Sequence, residues 1–133
     1  MDRITSLVRA FETGELPTSE FHHAQHLTVA LWYLSRFPFD EAAARFRETV
    51  KGYIAHHAVD PSKYHETITM FWLHIVDSFM AGRDASADLE SMAADLVATW
   101  GSSKAIASYY SKDLLDSAEA RASFVAPDLQ PLP

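Results

Sequence analysis

The chain contains no cysteine. That excludes disulfides, thiolate metal sites and cysteine nucleophiles. Glycine and proline are scarce, at 4 and 6 of 133 residues, and most fall between segments of helical periodicity. No apolar run approaches the roughly 18 residues that cross a bilayer. The longest, Val29 to Leu34, is far too short, so no membrane partner is expected. The opening stretch MDRITSLVRAFETGE lacks the uninterrupted apolar region of a secretory signal, and a cytoplasmic location is expected. Basic residues are also few: 11 Lys and Arg stand against 18 Asp and Glu, for a net charge of −7 with histidines neutral. An acidic surface without a basic stripe repels phosphate backbones, which argues against a nucleic-acid partner.

What is present is apolar and aromatic. Hydrophobic residues make up 48% of the chain, with 8 Phe, 5 Tyr and 3 Trp. Residues 1–133 are read as a single domain, long enough to bury roughly two-thirds of its unfolded surface. Ile4, Leu7, Val8 and Phe11 share one helical face, ended by Gly14 and Pro17. Thr18 and Ser19 are candidate N-caps for a second helix, from about Glu20 to Arg36. Phe37-Pro38-Phe39 breaks the pattern. Asp40 is the candidate N-cap of a third helix, Glu41 to about His57, with Phe46, Val50, Tyr53 and Ile54 inward. A turn through Asp60-Pro61-Ser62 leads to a fourth, about Lys63 to Met80, with Gly82 past its end. A fifth spans about Ala87 to Trp100 and a sixth about Lys104 to Leu115, and Ser117 caps one further turn. The tail, residues 125–133, holds Pro127, Pro131 and Pro133 and is expected to be extended. No useful strand-like alternation occurs. The expected fold is all-α: an antiparallel helical bundle of about five to six helices with an extended Pro-rich C-terminal tail.

Short connections make consecutive helices antiparallel neighbours. The starts of helices two and four then meet the ends of helices one and three. His22, His23, His26, His56, His57 and His65 all fall at that end, while His74 lies about 14 Å further along helix four. His23 and His26 are three apart, a spacing that puts two imidazoles on one face where they can grip one ion. His23, His26 and His65 are therefore the candidate ligands of a divalent metal, Zn, Fe, Mn or Ni. The alternative occupant is an anionic or polar small molecule, because helix N-termini carry partial positive charge and unpaired N–H groups. His65 and Glu66 are the candidates for acid–base chemistry. Tyr64, Thr67, Thr69 and Trp72 are candidate ligand contacts, since His65, Thr69 and Trp72 share a helical stripe that sets polar groups beside an aromatic wall.

Each of these residues also has a structural reading. His56 and His57 suit the negative C-terminal end of a helix. Thr67 and Thr69 can bond back to the preceding turn. A buried His65 can bond a backbone carbonyl, and the tryptophans suit a core.

Three strings carry a resemblance. FHHAQHLTVALWYL, from Phe21, fits F-x-H-x-x-H-L-x-x-A-x-x-x-L. YHETITMFW, from Tyr64, fits Y-H-E-T-x-T-x-x-W. The ending from Tyr109 begins Y-Y-S and closes on P-D-L-x-P-L-P. Together they resemble a family of small, uncharacterised bacterial all-helical proteins, from about Phe21 to the C-terminus. The resemblance implies no reaction. It implies that His23 and His26 matter and His22 does not, and it picks out His65, Glu66, Thr67, Thr69, Arg121 and Asp128. It also implies a tail that folds back over the bundle.

Two functional readings follow. In one, a His-rich pocket at one bundle end binds a small molecule or divalent metal and supports an enzyme of unspecified reaction. In the other, the domain is an interaction or homodimerisation module with structural histidines. A shared ion requires His23, His26 and His65 within about 4 to 5 Å of one another.

Overall fold

The structure is a computed structural model and describes residues 2–84 and 86–133. Among these, every regular element is helical. The α-helices are α1 (Arg3–Thr13), α2 (His23–Arg36), α3 (Phe39–His56), α4 (Glu66–Ala81), α5 (Leu89–Trp100) and the short α6 (Lys112–Leu115) and α7 (Ala118–Ala122). Tight 3-10 turns occupy Thr18–Glu20, Pro61–Lys63 and Ser103–Ser108. The all-α expectation holds. No described helix is long and apolar enough to cross a membrane.

Helix α2 is the centre of the bundle and packs on α1, α3, α4 and α5. Its residues Leu27, Thr28, Val29, Ala30 and Leu31 are buried in succession, as expected of a helix surrounded on all sides. Around it lie Ile4, Val8 and Phe11 of α1, Phe46 and Tyr53 of α3, Phe71 and Ile75 of α4, and Leu96 of α5. Full burial of each large apolar side chain contributes about 1.5–3 kcal/mol.

Several helix boundaries depart from the sequence expectation. Helix α2 begins at His23, not Glu20, because Thr18–Glu20 closes as its own turn and Phe21 leaves the helical region. The His22 N–H then donates to Gln25 Oε1 at 3.0 Å. Helix α3 starts after Pro38, two residues before the expected Glu41. Helix α4 starts at Glu66, not Lys63, because His65 is its N-cap: His65 Nδ1 accepts the Ile68 N–H at 3.2 Å. The expected sixth helix is instead a 3-10 turn followed by the four-residue α6. Ser111 divides them, its hydroxyl accepting the Leu114 N–H and donating to Asp128 Oδ2. Ser117 caps α7 as expected.

The last residues carry no helix and are tied down along their length. The Leu129 N–H donates to the Tyr109 carbonyl at 2.9 Å, and Gln130 Nε2 to the Ser108 carbonyl at 3.0 Å. The Tyr110 hydroxyl donates to the Val125 carbonyl at 2.6 Å, and burial pushes its pKa up to about 12.

The ends of α1 and α3 meet through Gly14. It closes α1 at φ +83°, and its carbonyl accepts from His57 Nε2 at 2.8 Å. A Cβ there would sit 2.4 Å from the His56 ring. Gly52, in the middle of α3, has nothing within 4 Å of a Cβ. The two glycines therefore answer alanine oppositely. Gly14→Ala is expected to destabilise by at least about 1 kcal/mol, and Gly52→Ala to stabilise by roughly 0.5–1 kcal/mol. Urea midpoints of the two variants check this, and shifts of the same sign would refute it.

Candidate functional site

Helices α2, α3 and α4, with the turns before α2 and α4, line a cavity of about 320 Å³ that opens to solvent. That lies at the low end of the range for small-molecule sites, roughly 300–1,000 Å³. Its wall is largely apolar and aromatic: Phe21, Val50, Tyr53, Ile54, Val59, Tyr64 and Ile68. Thr18, His26, Lys63, His65 and Thr69 complete it. The starts of α2 and α4 thus share one cavity at the end where α1 and α3 finish, as the bundle topology predicts.

His26 is held by rings. Its imidazole lies on Phe21 at 4.1 Å between centroids and meets the edge of Phe46 at 6.2 Å. No described protein group hydrogen-bonds it. Burial, with the nearby His23 as a smaller cause, pushes its pKa down to about 4. The ring is therefore neutral at pH 7, with one donor N–H and one acceptor nitrogen.

His65 is held differently. Nδ1 accepts from the Ile68 N–H and Nε2 donates to the Leu115 carbonyl at 2.7 Å. A carbonyl only accepts, so the ring is the Nε2–H tautomer and both nitrogens are engaged. The side chain lines the cavity but offers it no free lone pair. As a candidate general base and metal ligand, it is placed instead as a strut between α4 and α6.

The other expected site residues divide. Tyr64 and Thr69 line the cavity. The Tyr64 hydroxyl donates to Glu66 Oε1, and burial and that carboxylate push its pKa up. Thr69 bonds back to the His65 carbonyl at 2.9 Å. Glu66 is closed off, since its second oxygen accepts from Arg47 Nη1 at 3.0 Å. His23 turns away: Nε2 donates to the Trp100 carbonyl at 3.0 Å and the ring meets the edge of Trp72 at 4.3 Å. Burial lowers its pKa, against the pull of the carbonyl. Trp72 lies in the core. Thr67, fully buried, donates to the Ser123 carbonyl at 2.9 Å and accepts the Val125 N–H at 3.1 Å. It holds the tail rather than a ligand, and among the described residues none beyond Thr69 lines the cavity.

Among the described residues, no group of three or more His, Asp or Glu side chains is placed to hold a metal ion. His23, His26 and His65 do not form one set. Sequence reasoning did not single out Thr18, Tyr53, Ile54, Val59, Lys63 or Ile68 as cavity residues. Periodicity marked Tyr53, Ile54 and Ile68 as core-facing without distinguishing a filled core from a cavity wall. No family model, curated protein or solved structure matches this chain.

Two outcomes follow. The His26 pKa, near 6.5 unfolded and about 4 folded, means that the unfolded chain binds more protons between those values. Stability contributed by this site is complete above pH 6.5 and falls by roughly 3 kcal/mol as pH drops toward 4. In His26→Gln the urea midpoint is expected to fall less steeply over that window, and parallel profiles would refute the assignment. Thr67→Val leaves the Val125 N–H and Ser123 carbonyl unpaired, at a cost of about 1–3 kcal/mol. Its urea midpoint is expected to drop and Val125 amide exchange to quicken, so unchanged exchange would count against the clamp.

Proposed function

We propose that this domain binds a compact, largely apolar small molecule in the cavity between α2, α3 and α4, with His26 as its hydrogen-bonding partner. The observation that carries this reading is the state of His26: a neutral imidazole without a protein partner, fixed by Phe21 on the wall of the cavity. The half-buried ring is open to the cavity and offers a ligand one donor and one acceptor that the protein leaves unused.

Binding is favoured over proton transfer. General-base catalysis works best with a pKa near the operating pH, and a base near pKa 4 is far from pH 7. Binding without an ion is favoured over a divalent metal, because His65 has both nitrogens engaged and His23 is turned to Trp100. One imidazole is too few for a metal site. The alternative, an interaction or homodimer module, needs an exposed apolar face. Among the described residues, the exposed large hydrophobic ones are Phe124, just before the tail, and Leu129, within it, and neither lines the cavity.

Benzyl alcohol, a small uncharged probe, tests the reading. Titrated into isotope-labelled protein, it is expected to shift the His26 ring and Ile68 methyl resonances saturably. The shifts are expected to vanish in Ile68→Trp, whose larger side chain fills the cavity. Non-saturating shifts, or shifts unchanged in a folded Ile68→Trp, would overturn the proposal. Saturable shifts of the His26 ring with zinc chloride, and none with the alcohol, would replace it by the metal reading.

A further inference from the structure

Most polar groups on the cavity wall already have protein partners. The Tyr53 hydroxyl donates to the Leu16 carbonyl at 2.6 Å, the Tyr64 hydroxyl to Glu66, and the Thr69 hydroxyl to the His65 carbonyl. Both His65 nitrogens are engaged. Three groups are left: the His26 ring, the Thr18 hydroxyl and the Lys63 ammonium. Among the described residues, none of these side chains is hydrogen-bonded to a protein group, and Lys63 forms no ion pair.

Among the described residues, no carboxylate lines this cavity, although the chain has 18 acidic residues. Asp60 feels the Lys63 charge, but its Oδ1 accepts the Ser62 N–H. Glu66 is paired with Arg47. Glu20 acts on Tyr53 without lining the wall. The wall therefore includes an exposed lysine, an exposed threonine and one neutral histidine among apolar residues. All three can donate, and the ammonium can only donate. A singly charged acceptor joined to an apolar body matches the ammonium and lets the hydroxyl and the imidazole N–H donate as well. A dianion would leave charge unmatched by a single lysine, and a neutral alcohol would leave the ammonium unused.

We propose that the cavity takes a small monocarboxylic acid, its carboxylate accepting from the His26 ring N–H, Lys63 and Thr18 and its apolar body against Phe21, Val50 and Ile68. This deepens the binding reading above and rests on it. Lys63 is exposed, so its contribution is screened by solvent and salt. The expected gain is about five- to tenfold in affinity, equivalent to roughly 1 kcal/mol.

The test compares benzoate with benzyl alcohol, which have similar shapes and differ in charge, by titration of the full chain followed at the His26 and Ile68 resonances. Benzoate is expected to bind about five- to tenfold more tightly, with the advantage shrinking as salt is raised. Lys63→Met, on an exposed turn, is expected to reduce the benzoate affinity to that of the alcohol while the alcohol affinity stays unchanged. Thr18→Val is expected to weaken benzoate less. Equal binding of the two probes, or an equal loss for both in Lys63→Met, overturns the carboxylate proposal and leaves the cavity reading intact. Absence of saturable shifts with either probe overturns both.

Discussion

The imidazole of His65 is the constraint from which the C-terminal half is built. One ring nitrogen ends the turn before α4 by capping it, and the other holds the Leu115 carbonyl 50 positions later in the chain. A neutral histidine has one donor and one acceptor, so the two roles use the ring fully. Substituting either partner's role would require a side chain with both functions at opposite edges of a rigid ring. Asparagine carries both functions, but at one end of a short stem. The position is buried, so each unmade bond would carry its desolvation cost.

Helix α4 consequently serves two regions. Tyr64, His65, Ile68 and Thr69 face the cavity. Thr67 holds the tail, and His74 lies between Phe39, at 4.7 Å, and Phe124, at 5.5 Å. Read this way, the Y-H-E-T string and the Y-Y-S…P-D-L ending are halves of one arrangement. Thr67 bonds residues 123 and 125, Tyr110 bonds Val125, and Ser111 takes both oxygens of Asp128. Arg121 completes it by donating to the Ser62 carbonyl at 2.7 Å. The polar residues of these strings hold the fold together and leave His26, from the first string, as the imidazole open to the cavity.

Helical periodicity made the five long helices and their inward faces legible, because an amphipathic stripe records which side meets the core. It did not reveal the helix starts, where a side chain such as His65 or Gln25 takes over a backbone role. The convergence of the α2 and α4 starts followed from short connections alone. The direction of each imidazole did not. His23 and His26 share a spacing and a string, yet one reaches Trp100 and the other lies on Phe21. That choice depends on carbonyls and rings from distant segments, which local spacing does not encode. Thr67 and Thr69 illustrate the same limit. Both are threonines at the start of α4; one closes locally on the preceding turn and the other reaches residues 56 and 58 positions away.

Those separations bear on how the chain comes together during synthesis. Helices α1 to α3 find most of their partners early, but Thr67 has neither donor nor acceptor to meet until residues 123–125 have been made. His65 likewise waits for Leu115. A nascent chain that has just completed α4 therefore carries a buried-type hydroxyl and imidazole exposed to water, beside apolar surface meant for α7 and the tail. Closing a loop of this length imposes an entropic cost before any bond is gained. Of the cavity wall, Thr69 closes within its own turn, and the second bond of His65 is the part that waits for Leu115 to be made.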